Sequence, residues 1–175
     1  PVICQRLRNY FDNNIKGSTN VNPRFSNRVV YYESVKDLRI KAIMKNIHDT
    51  VANYLTEFYA LTEPLYPEAT HLVKWPKGSS LGHHADNAYD PRGETNYVHW
   101  RSHSSVVYLN EDYQGGEFYF KRELPKTSQP KTGMLVAFTA GMDHVHGVKE
   151  VTEGNRYAMP MWLCQDRSRA YPAYR

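Results

Sequence analysis

Apolar residues recur at helical spacing in one long segment of the chain. Between Ser34 and about Leu61 they fall three or four residues apart, as on one face of an amphipathic helix. These apolar positions are Leu38, Ile43, Ile47, Val51, Tyr54, Leu55 and Phe58. Ser34 and Asp37 are residue types that cap helix starts. The pattern predicts one long helix, broken at most once, whose apolar stripe packs against a sheet.

Short strands separated by clusters of Gly, Pro, Asn and Asp are predicted for the rest of the chain. One lies at residues 28–32, before the long helix. The later candidates are residues 70–75, 104–109, 116–121, 134–139 and 157–164. None of them is followed by a helical pattern, which favours an antiparallel sandwich or barrel. The stretch through Asn27 is polar, with Tyr10 and Phe11 as its main apolar anchor.

The length of the chain is that of a single domain. Its 175 residues and mass of 20.4 kDa are enough for one hydrophobic core. We divide it into an N-terminal support at 1–68, a β-rich body at 69–165 and a tail at 166–175. Aromatic residues make up 13% of the chain, which suits a β-rich body with a lined cavity.

Charge and hydropathy bear on the classes of partner. The formal charge of +4 is mild and no run of Lys or Arg stands out, so nothing indicates nucleic acid. No apolar run reaches the roughly 18 residues of a membrane span. The two cysteines, Cys4 and Cys164, stand near opposite ends, and the sequence leaves their pairing open. The lumen of the endoplasmic reticulum and the cytoplasm both fit this composition.

The pair His84-x-Asp86, with His146 and Arg156 further along, is the candidate for chemistry. Residues i and i+2 of an extended segment face the same side, so His84 and Asp86 offer two adjacent ligands. His146 follows the predicted strand at 134–139 and offers a second imidazole. His144 competes with it, because it would share the same face. We prefer His146, which stands ten residues before Arg156.

Two imidazoles and one carboxylate are the ligand set of non-haem Fe(II) oxygenases, and they leave coordination positions open. A 2-oxoacid that chelates such a metal needs a buried cation for its far carboxylate. The guanidinium of Arg156 suits that role, and a hydroxyl such as that of Tyr108 could add a hydrogen bond. Each residue also has a simpler interpretation: a surface histidine at 84, an Asx turn at Asp86 and a turn arginine paired with a glutamate at 156.

Seven short stretches and one tryptophan match a known family in order. They are residues 75–78 (WPKG), 83–87 (HHADN), 107–110 (VYLN), 115–120 (GGEFYF), 133–138 (GMLVAF), 146–151 (HGVKEV), 154–157 (GNRY) and Trp162. Over residues 70–165 the chain resembles the 2-oxoglutarate- and Fe(II)-dependent dioxygenases of the prolyl hydroxylase superfamily. The combination of HADN at 84–87 with HGVKxVTxG at 146–154 looks most like the prolyl 3-hydroxylase branch.

The resemblance implies a double-stranded β-helix, or jelly roll, with one or two flanking N-terminal helices. It makes residues 69–165 a catalytic jelly roll. Trp75 stands where several relatives have a Tyr near the cosubstrate, so it is expected to form an aromatic wall of the pocket.

The resemblance also implies a ligand and cofactor set. Iron would be bound by His84, Asp86 and His146, which makes these the catalytic residues together with Arg156. Arg156 would pair with the C5 carboxylate of 2-oxoglutarate, and Tyr108 would donate to the same group. Molecular oxygen is the other cosubstrate, and ascorbate is a candidate reductant. The implied reaction is hydroxylation of an unactivated C–H bond.

The segment 87–102 is predicted to contact the substrate, because it is long, polar and directly follows the metal ligands. Its aromatic and basic residues are Tyr89, Arg92, Tyr97, His99, Trp100 and Arg101. Such side chains suit an extended peptide that contains proline, because aromatic rings pack well on pyrrolidine faces. A prolyl residue in a peptide or protein is therefore the leading substrate. A free amino acid or small molecule is the first alternative, and a non-catalytic metal-binding jelly roll that binds a partner is the second.

Overall fold

The computed structural model describes residues 1–15, 25–87, 98–122 and 130–172, and these form two helices and a set of strands. The helices are α1 (Val2–Asn14) and α2 (Leu38–Phe58). The strands are β1 (Val29–Tyr31), β2 (Tyr66–Pro76), β3 (Leu81–His84), β4 (His103–Tyr108), β5 (Gln114–Gly115), β6 (Phe118–Phe120), β7 (Leu135–Thr139), β8 (His146–Val148), β9 (Val151–Glu153) and β10 (Asn155–Cys164). Neither helix is long and apolar enough to cross a membrane.

The strands form two opposed sheets and a short ribbon, and every observed pairing is antiparallel. The larger sheet has the order β1-β2-β10-β4-β7, and the smaller one has the order β3-β8-β6. Strands β5 and β9 pair with each other. The prediction of a mainly β, antiparallel jelly roll with N-terminal helices is confirmed.

The two faces of the larger sheet have different roles. Along β10, alternate residues from Tyr157 to Leu163 belong to the main hydrophobic core, which also contains Leu7 and Met44 of the two helices. Residues of the opposite face, such as Ala158, belong to a smaller cluster with Val73, Trp75 and Val151. The helices therefore cover one face of the sheet, and the other face is left to line a cleft.

Helix α2 confirms the predicted long helix and is unbroken. It begins at Leu38 because the carboxylate of Asp37 accepts hydrogen bonds from the backbone N–H groups of Arg39 and Ile40, at 2.8 and 3.2 Å. Ser34, the other candidate for the helix start, lies in a 3₁₀ turn and donates to the carbonyl of Tyr31. The helix thus starts four residues after Ser34.

Helix α1 ties the N-terminus to β10. It buries Cys4, Leu7 and Phe11, and the Phe11 ring meets Tyr157 edge-on at 5.8 Å between centroids. The Tyr157 hydroxyl donates to both carboxylate oxygens of Asp12 at 2.9 Å. Cys4 and Cys164 are both buried free thiols, so they do not form a disulfide in this structure.

The residues after β10 fold back onto the main core. Tyr171 is buried, and its hydroxyl bridges the backbone of Thr70 by accepting from the N–H at 2.7 Å and donating to the carbonyl at 3.1 Å. Its ring stacks on His48 of α2, with 6.3 Å between centroids. His48 is fully buried and also contacts Tyr32.

We expect His48 to make the protein less stable in mild acid. Burial lowers the pKa of His48 to about 4, against the opposing effect of Asp49, whereas the unfolded chain keeps the usual value near 6.5. The unfolded state therefore binds the proton first, and stability present above pH 6.5 is lost as the pH falls toward 4. This group alone should lower the free energy of unfolding by about 3 kcal/mol over that range.

Urea unfolding between pH 4 and pH 7 measures this effect. His48→Phe should flatten the pH dependence, while His99→Phe, which removes an exposed histidine, should leave it unchanged. Equal pH slopes for the wild type and His48→Phe would contradict the prediction.

Candidate metal centre

Strands β3 and β8 bring the candidate ligands together. The two strands pair antiparallel in the smaller sheet, and His84 at the end of β3 lies directly opposite His146 at the start of β8. Asp86 follows β3 by two residues, which turns its carboxylate back toward both imidazoles. The backbone pairing therefore sets the separation of the two histidines, independently of their side-chain contacts.

The three side chains converge on one point. His84 Nε2 lies 3.5 Å from Asp86 Oδ1, and His146 Nε2 lies 3.8 Å from Asp86 Oδ2. Their ligand atoms all lie within 4.8 Å of one another. Among the residues that the structure describes, this is the only cluster of three or more His, Cys, Asp or Glu side chains with such spacing. A single ion between them could contact all three.

Both imidazoles are held in the orientation that metal binding requires. The Nδ1 atom of His84 lies 3.0 Å from the carbonyl oxygen of Gly82, and that of His146 lies 2.9 Å from the carbonyl oxygen of His144. A carbonyl oxygen only accepts, so each Nδ1 carries the proton and each Nε2 keeps a lone pair. This backbone support is typical of histidines that bind metals.

His144, the competing candidate, stands outside this cluster. Its Nδ1 lies 2.7 Å from the hydroxyl of Thr139, and its backbone carbonyl orients His146. Its contribution to the site is therefore the backbone support of its neighbour.

The electrostatics of the cluster suit a divalent cation. Burial alone would raise the pKa of Asp86, but the neighbouring His84, His146 and Ser104 side chains together lower it to about 2. Burial lowers the pKa of His146, against the effect of Asp86. At neutral pH the site thus offers a carboxylate and neutral imidazole nitrogen, the donor set that non-haem Fe(II) sites use.

An apolar wall that the sequence patterns did not reveal encloses His146. The Phe118 ring stacks on His146 with 4.9 Å between centroids, and the Phe138 ring lies 4.6 Å from it. Phe120 contacts the same imidazole at 6.4 Å. These rings come from β6 and β7, so they restrict the approach of water and fix the ring plane of the histidine.

Arg156 lies on the face of the larger sheet that the helices do not cover. It stands on β10 opposite Trp75 of β2, and only 2% of its surface is exposed. Its guanidinium carbon lies 4.9 Å above the ring of Tyr108, which ends β4 and is itself buried. No carboxylate lies within ion-pair distance of Arg156 in the described part of the chain, so the predicted alternative of a turn arginine paired with a glutamate has no support there.

Trp75 is the cross-strand partner of Arg156. Its ring is buried among apolar residues, and Phe25 meets it edge-on at 6.1 Å. Its role as an aromatic wall of the cosubstrate pocket stays a prediction.

Of the segment 87–102, the structure describes Asn87 and residues 98–102. Tyr89, Arg92 and Tyr97 lie outside the described residues. Asn87 donates from its side chain to the carbonyl of Arg101 at 2.7 Å, and this bond joins the two ends. Trp100 stacks against Arg169 at 4.2 Å and meets His99 edge-on.

Arg101 lies on the rim of the cleft. Its Nε donates to Glu68 at 2.7 Å, and its guanidinium lies 4.6 Å above the ring of Trp162. Trp162 also contacts His71 at 5.4 Å between centroids.

Trp162 pairs across the sheet with Ser104, the residue that helps to lower the pKa of Asp86. Ser104 therefore links the strand position of Trp162 to Asp86.

This fold and this cluster define the class of protein. Residues 70–164 match the 2OG-Fe(II) oxygenase superfamily, and the chain belongs to that superfamily. Fe(II) and 2-oxoglutarate are accordingly the metal and cosubstrate of its family. The chain is 32% identical over 163 residues to prolyl 3-hydroxylase 2 of Gallus gallus, an alignment that covers 82% of this chain and 23% of that protein. The chain thus spans about a quarter of the length of the curated relatives that it matches.

Solved structures share the fold. The prolyl hydroxylase of Trichoplax adhaerens, in complex with a peptide fragment of the hypoxia inducible factor oxygen degradation domain, aligns with a TM-score of 0.71 at 16% identity, covering 97% of this chain and 81% of that one. The viral collagen prolyl hydroxylase of Paramecium Bursaria Chlorella virus-1, in its 2OG complex, aligns with a TM-score of 0.68 at 16% identity, covering 93% and 89%. The predicted resemblance to the prolyl hydroxylase superfamily is confirmed.

Proposed function

We propose that the protein is an Fe(II)- and 2-oxoglutarate-dependent hydroxylase in which His84, Asp86 and His146 hold the iron. The convergence of their ligand atoms within 4.8 Å is the observation on which the proposal depends. Iron, when bound, supplies the activation of oxygen, coupled to oxidative decarboxylation of the cosubstrate. The protein's part is to present two Nε2 lone pairs and one carboxylate, and to pack Phe118 and Phe138 against His146.

Arg156 and Tyr108 are proposed to bind the distal carboxylate of 2-oxoglutarate. Arg156 is a permanent cation in a buried position, so an anion in the cleft gains a strong, weakly screened attraction there. Stacking over Tyr108 fixes the plane of the guanidinium, and Trp75 closes the pocket beside it. A buried cation at this place would favour a 2-oxoacid with a second acid group.

The substrate is proposed to be a prolyl residue in a peptide or protein. Three observations support this: the relatives are named prolyl hydroxylases, one similar structure holds a peptide, and the rim of this cleft is aromatic. Arg101 stacks on the Trp162 ring and is itself fixed by Glu68, and Trp162 pairs across the sheet with Ser104, the neighbour of Asp86. Pyrrolidine rings dock well on surfaces of this kind.

Product analysis by mass spectrometry tests the function. The protein is incubated with Fe(II), 2-oxoglutarate and oxygen, together with proline-containing peptides, matched peptides with alanine at the proline position, or free proline. We expect one oxygen atom to be added to a prolyl residue of a peptide and none to the alanine controls. A product on free amino acid alone would overturn the peptidyl substrate, and metal binding without any turnover would favour the non-catalytic alternative.

Gly116→Ala is expected to raise the KM for 2-oxoglutarate by disturbing Arg156. Gly116 has φ +65°, and a Cβ atom there would lie 2.9 Å from Val151 Cγ2 and 3.1 Å from Arg156 Cδ. Overpacking and a left-handed backbone together cost about 1–3 kcal/mol, so we expect lower stability and displacement of the guanidinium.

Steady-state kinetics with varied 2-oxoglutarate measures the displacement. Gly133→Ala is the matched control, because Gly133 has φ +86° but a Cβ atom there would meet no described atom of the protein within 4 Å. Both variants should lose stability, and only Gly116→Ala should raise the KM. An equal KM in the two variants would show that Gly116 does not govern the position of Arg156.

A further inference from the structure

Tyr113 shares the deep end of the cleft with Arg156. It lies between β4 and β5, and 7% of its surface is exposed. Both side chains pack over Gly116: a Cβ atom at that glycine would lie 3.1 Å from Arg156 Cδ and 3.4 Å from Tyr113 Cε2. The lack of a side chain at residue 116 therefore allows the phenol ring and the guanidinium to lie side by side.

The backbone around Tyr113 is fixed by Asn110. The Asn110 side chain donates to the carbonyl of Asn155 at 2.8 Å and accepts from the N–H of Tyr157 at 2.7 Å. These two bonds bracket Arg156 on β10. They hold the segment that carries Tyr113 against the strand that carries the arginine, so the relative position of the two side chains is set by a buried amide.

The O–H group of Tyr113 has no acceptor in the described part of the protein. Neither its oxygen nor Arg156 Nε has a partner within hydrogen-bond distance there, although both atoms are inaccessible to solvent. The two side chains are close enough for Arg156 to act on the Tyr113 oxygen as a weak donor, which leaves the phenol proton as the unpaired group. Buried polar groups in native proteins are nearly always paired, so this O–H indicates that an acceptor comes from outside the protein.

The charge state of Tyr113 makes it a donor. Burial raises the pKa of Tyr113 to about 12, even though the positive charge of Arg156 acts in the opposite direction. At neutral pH the hydroxyl thus keeps its proton. A neutral O–H group beside a cation suits an anionic acceptor, because the acceptor satisfies both groups at once.

We propose that the Tyr113 hydroxyl is a further donor to the distal carboxylate of 2-oxoglutarate, beside Arg156 and Tyr108. This inference rests on the proposed function and extends its binding site by one residue. The side chain reaches the site through the packing over Gly116, and it lies 43 positions before the arginine in the sequence.

The test compares two ligands and two variants. Calorimetric titration of the Mn(II)-loaded protein measures the affinity for 2-oxoglutarate and for 2-oxopentanoate, in which a methyl group replaces the distal carboxylate. Tyr113→Phe should weaken 2-oxoglutarate roughly ten-fold, as expected for loss of a hydrogen bond to a charged group, and should leave the affinity for 2-oxopentanoate unchanged. In turnover, the KM for 2-oxoglutarate should rise while kcat changes little.

Tyr171→Phe is the matched control. It also removes a buried hydroxyl, which bonds the backbone of Thr70 in the core on the other face of the sheet. We expect it to lower stability without changing the affinity for either ligand.

The outcomes separate this inference from the proposed function. Equal 2-oxoglutarate affinity in the wild type and Tyr113→Phe would overturn the role of Tyr113 and leave the function intact. An equal loss for both ligands would also overturn it, because the effect would then not involve the carboxylate. If the wild type itself bound no 2-oxoglutarate, the proposed function would fail together with the inference.

Discussion

Asp86→Ala is expected to reduce the conversion of 2-oxoglutarate to succinate by more than about 100-fold. Even groups that only support metal ligands cost about 10–100-fold in affinity or activity when they are removed, and Asp86 is proposed as a direct ligand. It is also the only carboxylate of the cluster, so its loss leaves two neutral imidazoles for a divalent cation. Succinate formation with varied Fe(II) measures the effect, and added Fe(II) should not restore full activity.

Asp143→Ala is the matched control for this prediction. The Asp143 carboxylate is 86% exposed and lies near the metal site in sequence, before β8, where it faces Arg122 at 3.5 Å. We expect this variant to retain wild-type turnover. Comparable activity of Asp86→Ala and the wild type would show that Asp86 is not a metal ligand.

Arg156→Met is expected to weaken the binding of 2-oxoglutarate by about 2–5 kcal/mol. That range is typical when one partner of a buried charge pair is truncated, and it corresponds to roughly 30-fold to several thousand-fold in affinity. Met keeps much of the length and packing of the side chain but supplies no charge and no donor. The KM for 2-oxoglutarate in steady-state turnover measures the loss.

Arg8→Met is the control for the removal of a partly buried arginine. Arg8 stacks on Tyr157 at 5.0 Å and pairs with Asp112, on the helix-covered side of the sheet. Its removal should change stability but not the KM. An unchanged KM in Arg156→Met would show that the distal carboxylate of 2-oxoglutarate is bound by a cation other than Arg156.

The parts of the fold that could be predicted are those with long periodic patterns. The 21 residues of α2 span several helical turns, and the apolar stripe repeats often enough to be unambiguous. The longer strands, such as β2, β4 and β10, alternate between two chemically different faces. Antiparallel topology followed from the lack of helices between them.

Helix α1 was not assigned from its pattern, although one or two N-terminal helices were expected. Its buried positions, Cys4, Leu7 and Phe11, do repeat at helical spacing, but they are only three residues in a segment that is otherwise rich in Asn and Arg. What stabilises the helix is tertiary packing against β10, including the Asp12–Tyr157 hydrogen bonds. Such packing cannot be detected in a local window.

The sequence predicts the four main residues of the candidate site but not the side chains that pack around them. The order of His84, Asp86, His146 and Arg156 carried a family signature, and the structure brings the first three together. Strands β3 and β8 are too short, at four and three residues, to show an alternating pattern. Their register nevertheless places the two histidines opposite each other.

The surrounding residues depend on contacts between distant segments. The phenylalanines that enclose His146 come from two other strands, and Tyr113 reaches Arg156 only because Gly116 leaves room. Neither contact leaves a periodic signal in the sequence. The positions of these residues are set by packing between distant segments, whereas the proposed metal ligands were recognised by their order and spacing.

A crystal structure of the protein with Mn(II) and 2-oxoglutarate tests the central claim most directly. We predict one metal ion in contact with His84 Nε2, the Asp86 carboxylate and His146 Nε2, with the distal carboxylate of the cosubstrate at Arg156. A metal held by His144 or by residues outside this cluster would contradict the account, as would a cosubstrate whose distal carboxylate lies away from Arg156.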